Sequence, residues 1–199
     1  MAGRGKRWNH NLHYHRLVLN GVPPQALSAL DVGCGNGLLA EELRQSIPEV
    51  IGIDSDEGVL DKARELTDQV NWVKADVMTY PFGREFDVVA SVATVHHIPN
   101  LEAALSRLAA LTRPGGVLII VGMAQGNGIK DALFSLAGAM QHRRLARKYG
   151  VWDHSAPTVW PPPHDYRTVR RTAEAVLPHV KWKKLLLWRY ALIWRRPHH

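Results

Sequence analysis

A chain of 199 residues, 46% of them hydrophobic, is sized for one domain with a full core, and no apolar run approaches the roughly 20 residues of a bilayer span. The basic opening "MAGRGKRWNHNLHYH" lacks the apolar centre of a secretion signal, and the lone Cys34 forms no internal disulfide, so a cytoplasmic setting is expected. The net charge of +7 is uneven: residues 1–140 hold 12 Lys/Arg against 15 Asp/Glu, and residues 141–199 hold 13 against 3. A basic final third suits nucleic acid, acidic lipid or an anionic substrate, or is a plain solvated surface.

In chain order, an N-terminal helix is expected around residues 9–20. Five short, apolar, β-branched-rich runs then read as buried strands: "ALSALDV" (26–32), "VIGID" (50–54), "VNWVKAD" (70–76), "FDVVASVA" (86–93) and "GVLIIVG" (116–122). Helical patterns follow the first, second and fourth; in "NLEAALSRLAALTR" Leu101, Ala104, Leu105, Leu108 and Leu111 recur at helical spacing before "PGG". This alternation predicts right-handed βαβ units around a parallel sheet. Beyond residue 122, "GIKDALFSLAGAMQHRRLARKYG" predicts a helix with an apolar face of Ala132, Leu133, Leu136 and Met140. "VWDHSAPTVWPPPHDY" predicts irregular chain and "DYRTVRRTAEAVL" another helix. "VKWKKLLLWRYALIWRRP" is strand-like, with no Gly or Pro to say whether it is one strand or a hairpin.

"LDVGCGNG" (30–37) lies where the first strand meets its helix. Glycine allows positive φ and lets a ligand approach bare backbone, and such a turn at the carboxyl edge of a parallel sheet is a nucleotide-type seat. The spacing is G-x-G-x-G; the dinucleotide register fails at Leu38, and no G-K-[ST] follows to make a phosphate loop. Asp31 beside the turn repels a pyrophosphate and suits a cationic ligand. Asp54, at the end of the second strand, can accept both hydroxyls of a ribose. Asp76, at the end of the third, can take an adenine amine with Val77 as an apolar flank. Helix capping accounts for a single strand-end Asp, but not readily for three beside three glycines.

With "VIGIDSD", "KADVMTYPF", "FDVVASVATVHHIPN" and "LTRPGGVLIIVG" in order over residues 30–122, the chain resembles the class I S-adenosylmethionine-dependent methyltransferases, in particular the small bacterial UbiE-like group. The resemblance implies an α/β, Rossmann-like, seven-stranded sheet, mostly parallel with its last strand antiparallel, flanked by helices. It implies one domain: a helical cap (1–25), a cofactor-binding core (26–124), a lid (125–164), and a helix with a strand pair (165–199). S-adenosylmethionine is the implied cofactor, its methionine side along Gly33, Gly35 and Gly37 beside Asp31, its ribose on Asp54 and its adenine on Asp76 and Val77. Cys34 fills a variable slot of the motif, and Ser55 and Ser91 complete the core set. An N-terminal helix folded over the cofactor places Tyr14 near the methionine carboxylate and His13 toward the substrate.

Methyl transfer from a sulfonium rests on alignment, and an acceptor bearing a proton gains from a general base. His97 and His96, after the fourth strand, are the candidate bases, although a His-His pair there can also merely shape the loop. Ala93 and Thr94 stand where metal-dependent catechol-type enzymes carry carboxylates, so no metal is expected. The Asn/Asp-Pro-Pro-aromatic and Pro-Cys signatures of base methylation are absent, which removes the usual support for a nucleic-acid substrate. Met140, Trp152, Trp160 and His164 on the lid would wall a flat organic acceptor, or simply pack. A small-molecule acceptor is therefore the leading expectation. Alternatives are an RNA- or protein-directed methyltransferase, a non-catalytic cofactor-binding module, and a lipid-surface protein using "KWKKLLLWRYALIW".

Overall fold

A computed structural model describes residues 8–152 and 160–198. Seven strands form one sheet in the order β3-β2-β1-β4-β5-β7-β6, with β1 Ser28–Val32, β2 Glu49–Asp54, β3 Asn71–Lys74, β4 Phe86–Val92, β5 Thr112–Met123, β6 Lys181–Leu185 and β7 Arg189–Arg195. The pairings β3-β2, β2-β1, β1-β4 and β4-β5 are parallel, while β7 runs antiparallel to both β5 and β6. The expected Rossmann-like sheet is what forms. The C-terminal run is a hairpin, and its turn carries no glycine: Leu187 and Trp188 themselves adopt φ of 56° and 57°. That is why sequence alone left the turn invisible.

Helices α2 Leu38–Arg44, α3 Glu57–Leu66 and α4 Leu101–Leu111 follow β1, β2 and β4. Each begins where a side chain or turn supplies the missing cap. Asp56 accepts the Gly58 amide at 2.8 Å before α3, Asn100 accepts that of Ala103 at 3.0 Å before α4, and Gly37, at φ 78°, turns the chain into α2. In α4 the five apolar residues at helical spacing are all buried. Helix α6 Tyr166–Val176 opens on Asp165, which accepts the Thr168 amide at 2.7 Å.

Period-2 alternation in the central strands fills both faces of the sheet. Leu118, Ile120 and Leu192 pack with α4 and α6, while Val117, Ile119, Val121 and Ala191 pack with the N-terminal elements and α2. The start of β1 is pinned to β4 by Asp87, whose Oδ2 accepts the Leu27 and Ser28 amides and the Ser28 hydroxyl at 2.8–3.0 Å. Burial pushes that carboxyl up, but these donors and Arg113, 2.5 Å away, outweigh it and hold it below the usual range.

Two expectations need correction. The N-terminal helix is shorter than 9–20, a 3-10 turn over Leu12–Tyr14 followed by α1 His15–Leu19. Helix α5 Ile129–Tyr149 forms as expected, yet Leu133, Leu136 and Met140 of its predicted apolar face are 58–65% exposed. The helix packs on the sheet layer through Leu145, Ala146 and Tyr149 near its other end, while its first half meets β6 through polar contacts, Asp131 pairing with Lys184. Residues 153–159 of the expected lid lie outside the described residues.

Candidate active site

A cavity of about 1130 Å³ opens at the carboxyl edge of the sheet, over the ends of β1, β2 and β4. Asp31, Gly33, Cys34, Gly35, Asp54, Ser55, Asp76, Val77, His96, His97, Trp152 and Trp160 all line it. Its volume lies just above the roughly 300–1,000 Å³ usual for small-molecule pockets.

The glycine turn is shaped by necessity. Gly33 has φ 67°, and a Cβ there would meet the Thr94 hydroxyl at 2.1 Å, so only a bare backbone fits between β1 and β4. Its amide, with that of Cys34, bonds the Ile53 carbonyl, and Thr94 Oγ1 donates to the Gly33 carbonyl at 3.2 Å. Asp54 fixes the other side: Oδ2 accepts the Gly35 amide at 2.9 Å and Oδ1 that of Asp56 at 3.0 Å. Each oxygen keeps further acceptor capacity, as a diol acceptor needs, and Asp54 lines the cavity. Asp76 likewise accepts the Met78 amide at 2.9 Å while facing the same space.

Asp31 is 2% exposed, and its Oδ2 has no partner among the described residues. Burial, and next the charge of Asp54, push its carboxyl from the ordinary 3.8 up to about 7, with the Ala40 amide opposing. Two carboxylates on a bare turn favour a cation. The sulfonium and ammonium of S-adenosylmethionine satisfy that demand, and a pyrophosphate does not. Burial and both carboxylates drive the Cys34 thiol far up, which leaves it a small neutral filler.

His96 and His97 follow β4 on a 3-10 turn, their ring centroids 4.1 Å apart. Burial first, then His97 and Arg189, hold His96 down at about 3, and neither ring nitrogen has a partner among the described residues. His97 is exposed at the cavity rim; burial lowers it while Asp54 pulls the other way. Both shifts favour the neutral imidazole.

Six expected site residues lie elsewhere. Gly37 sits under Trp72 at the head of α2. Ser91 is fully buried and donates to the Val32 carbonyl at 3.1 Å, tying β4 to β1. Tyr14 is buried and donates to the Leu186 carbonyl at 2.8 Å, and His13 stacks edge-on against it. The half-buried His164 offers its carbonyl to the Gln125 amide, and Met140 borders a separate hollow with Arg143, Arg144, Arg147 and Lys148. Their neighbours take their places. Asn9, His10, Asn11 and His15 reach the cavity because the 3-10 turn, capped by Asn9 Oδ1 on the Asn11 and Leu12 amides, points them inward. The Trp152 amide bonds the Trp8 carbonyl at 2.8 Å, so the N-terminal segment holds one lip of the mouth. His142, Trp188 and Arg189 also face in. An arginine inside the apolar run "LLLWRYALIW" was the one sequence signal for this last group.

A methyltransferase domain model matches residues 30–120. An uncharacterised methyltransferase of Mycobacterium tuberculosis is 39% identical over 193 residues, covering 96% of this chain and 98% of its own length. A ubiquinone biosynthesis O-methyltransferase of Azoarcus is 35% identical over 118 residues, 55% of this chain and 49% of that protein. The solved S-adenosylmethionine-bound CalS10, an amino pentose methyltransferase of Micromonospora echinaspora, superposes with a TM-score of 0.67 at 18% identity, over 97% of this chain and 94% of that one. With the sheet order, the glycine turn and its acidic strand ends in place, the chain belongs to the class I S-adenosylmethionine-dependent methyltransferases.

Proposed function

We propose that this enzyme transfers the methyl group to a small organic acceptor in the cytoplasm, without a metal ion. The supporting observation is the cavity itself. Past the turn and the Asp54–Asp76 side it continues to a wall of His96, Trp152, Trp160 and Trp188 with His142 and Arg189 among them, which supports room for an organic acceptor. The β4 end presents Ala93 and Thr94 rather than carboxylates.

In this reading Gly33, Gly35 and Asp31 hold the methionine part of S-adenosylmethionine, Asp54 the ribose, and Asp76 with Val77 the adenine. The bound cofactor supplies an electrophilic methyl. The protein's part is alignment and exclusion of water. His97, neutral at pH 7, accepts the acceptor's proton, and His96, buried and too weak a base at about 3, packs against the His97 ring and positions it. His97→Ala then lowers turnover by roughly 10²–10⁴-fold while cofactor affinity holds. Unchanged turnover in the variant would make it a structural residue.

The test is to incubate the full chain with S-adenosylmethionine and pools of organic acceptors, RNA or protein, and follow S-adenosylhomocysteine by mass spectrometry. Product formation with an organic pool is expected. Product with RNA or protein alone would refute the small-molecule reading.

A further inference from the structure

Arg189 opens β7 and is 6% exposed, its side chain lining the cavity. Its Nη2 donates to Asn11 Oδ1 at 2.7 Å and its Nη1 reaches the Leu187 carbonyl at 3.4 Å, while the buried Nε has no partner among the described residues. No described carboxylate lies within ion-pair distance of it. A cation this buried is destabilising unless something pairs with it. Burial lowers it only to about 10, so it stays charged, and its charge depresses His10 and His96 on either side.

The place of Arg189 in the sheet separates it from the nucleoside. It pairs with Met123 at the end of β5, three strands from the glycine turn of β1 and on the opposite side from Asp54 and Asp76. At about 4.8 Å per strand that is roughly 14 Å. Between the two stand the β4 end and the His96–His97 pair, so Arg189 lies on the acceptor's side. The chain also holds it there under strain. Leu187 and Trp188 take left-handed φ, a conformation that is costly for bulky residues and free for glycine. The same turn brings Trp188 to the cavity, its ring 5.7 Å from that of His10.

Building on the small-acceptor reading above, we infer that Arg189, aimed by Asn11, is the seat for an anionic group of the acceptor, a carboxylate or a phosphate, whose apolar body lies against Trp188 and Trp152. The substrates are then acidic small molecules. Arginine's planar fork suits either anion, and an enclosed site strengthens the pairing.

The test uses the full chain loaded with S-adenosylhomocysteine, with benzoate, phenyl phosphate and neutral benzamide as probes in calorimetry and thermal unfolding. Millimolar binding and a raised Tm are expected for benzoate or phenyl phosphate and not for benzamide, and the tighter anion identifies the group. Arg189→Met should weaken that anion at least about tenfold, keep S-adenosylhomocysteine affinity within about twofold, and leave Tm equal or higher, because an uncompensated buried charge is gone. Should that variant not fold, Asn11→Ala and Arg189→Lys decide, each expected to weaken the anion several-fold with the fold retained. Benzamide binding as well as the anions would overturn the inference. So would an Arg189→Met variant that loses S-adenosylhomocysteine but keeps methylthioadenosine, since the arginine would then serve the cofactor's own carboxylate. Wild-type protein that ignores S-adenosylhomocysteine altogether would overturn the parent reading instead, a separate outcome.

Discussion

Replacing Asp31 with Asn tests the electrostatics of the cofactor turn. The Asp31 carboxyl is 2% exposed, has one oxygen without a partner among the described residues, and is raised from 3.8 to about 7 by burial and then by Asp54. A folded state that holds a proton more tightly than the unfolded chain loses stability as pH rises between those two values. The penalty is absent below 3.8, grows through the window and is complete above about 7. At about 1.4 kcal/mol for each pH unit, the rise from 3.8 to about 7 amounts to roughly 4 kcal/mol, an upper bound for so buried a group. Asp31→Asn removes the ionisation and should be the more stable protein at pH 8.5 by up to that amount, with the gap narrowing toward pH 5. Urea unfolding at stepped pH measures it. The same change removes the negative charge proposed to face the cofactor's cationic groups, so calorimetry should show S-adenosylmethionine bound at least about tenfold more weakly, the range of a charge-assisted bond of about 1.5–3 kcal/mol. In the wild type, affinity should itself fall about tenfold per pH unit below 7, because a proton must leave before the cation binds. A variant no more stable than wild type at pH 8.5, or one whose advantage grows on acidification, would refute the reasoning.

Two further substitutions probe the same turn. Gly33→Ala drives a Cβ to 2.1 Å from the Thr94 hydroxyl at φ 67°, so denaturant midpoints should drop by an amount equivalent to about 2–3 kcal/mol and cofactor binding should vanish; Gly35→Ala, with open space around it, should lose only the roughly 1–2 kcal/mol of left-handed backbone. Asp54→Ala removes the acceptor of the Gly35 and Asp56 amides as well as the proposed ribose contact, and isothermal titration should find S-adenosylmethionine affinity reduced well over tenfold; unchanged affinity would remove Asp54 from the site.

Local pattern determined a great deal here. Alternating strand and helix signals give the parallel half of the sheet, and the α4 leucines at helical spacing give the face that is buried. The turn motif and its strand-end acids meet at one cavity, because each of those residues lies within a few positions of its own strand end. Chain-distant placement was beyond that reach. Tyr14 and His13 stood out in the sequence, yet a 3-10 turn capped by Asn9 rotates Asn11 and His10 into the cavity instead. Met140 sat on a plausible lid helix, yet α5 rests on the sheet through Tyr149 and its neighbours and leaves Met140 in solvent. Arg189 lies 178 positions from its partner Asn11, and a hairpin turn built from Leu187 and Trp188 rather than glycine carries it to the cavity. Periodicity reports which face of an element is apolar. Which charged side chain is left buried without a counter-charge depends on how separate elements pack, and only the tertiary structure decides that.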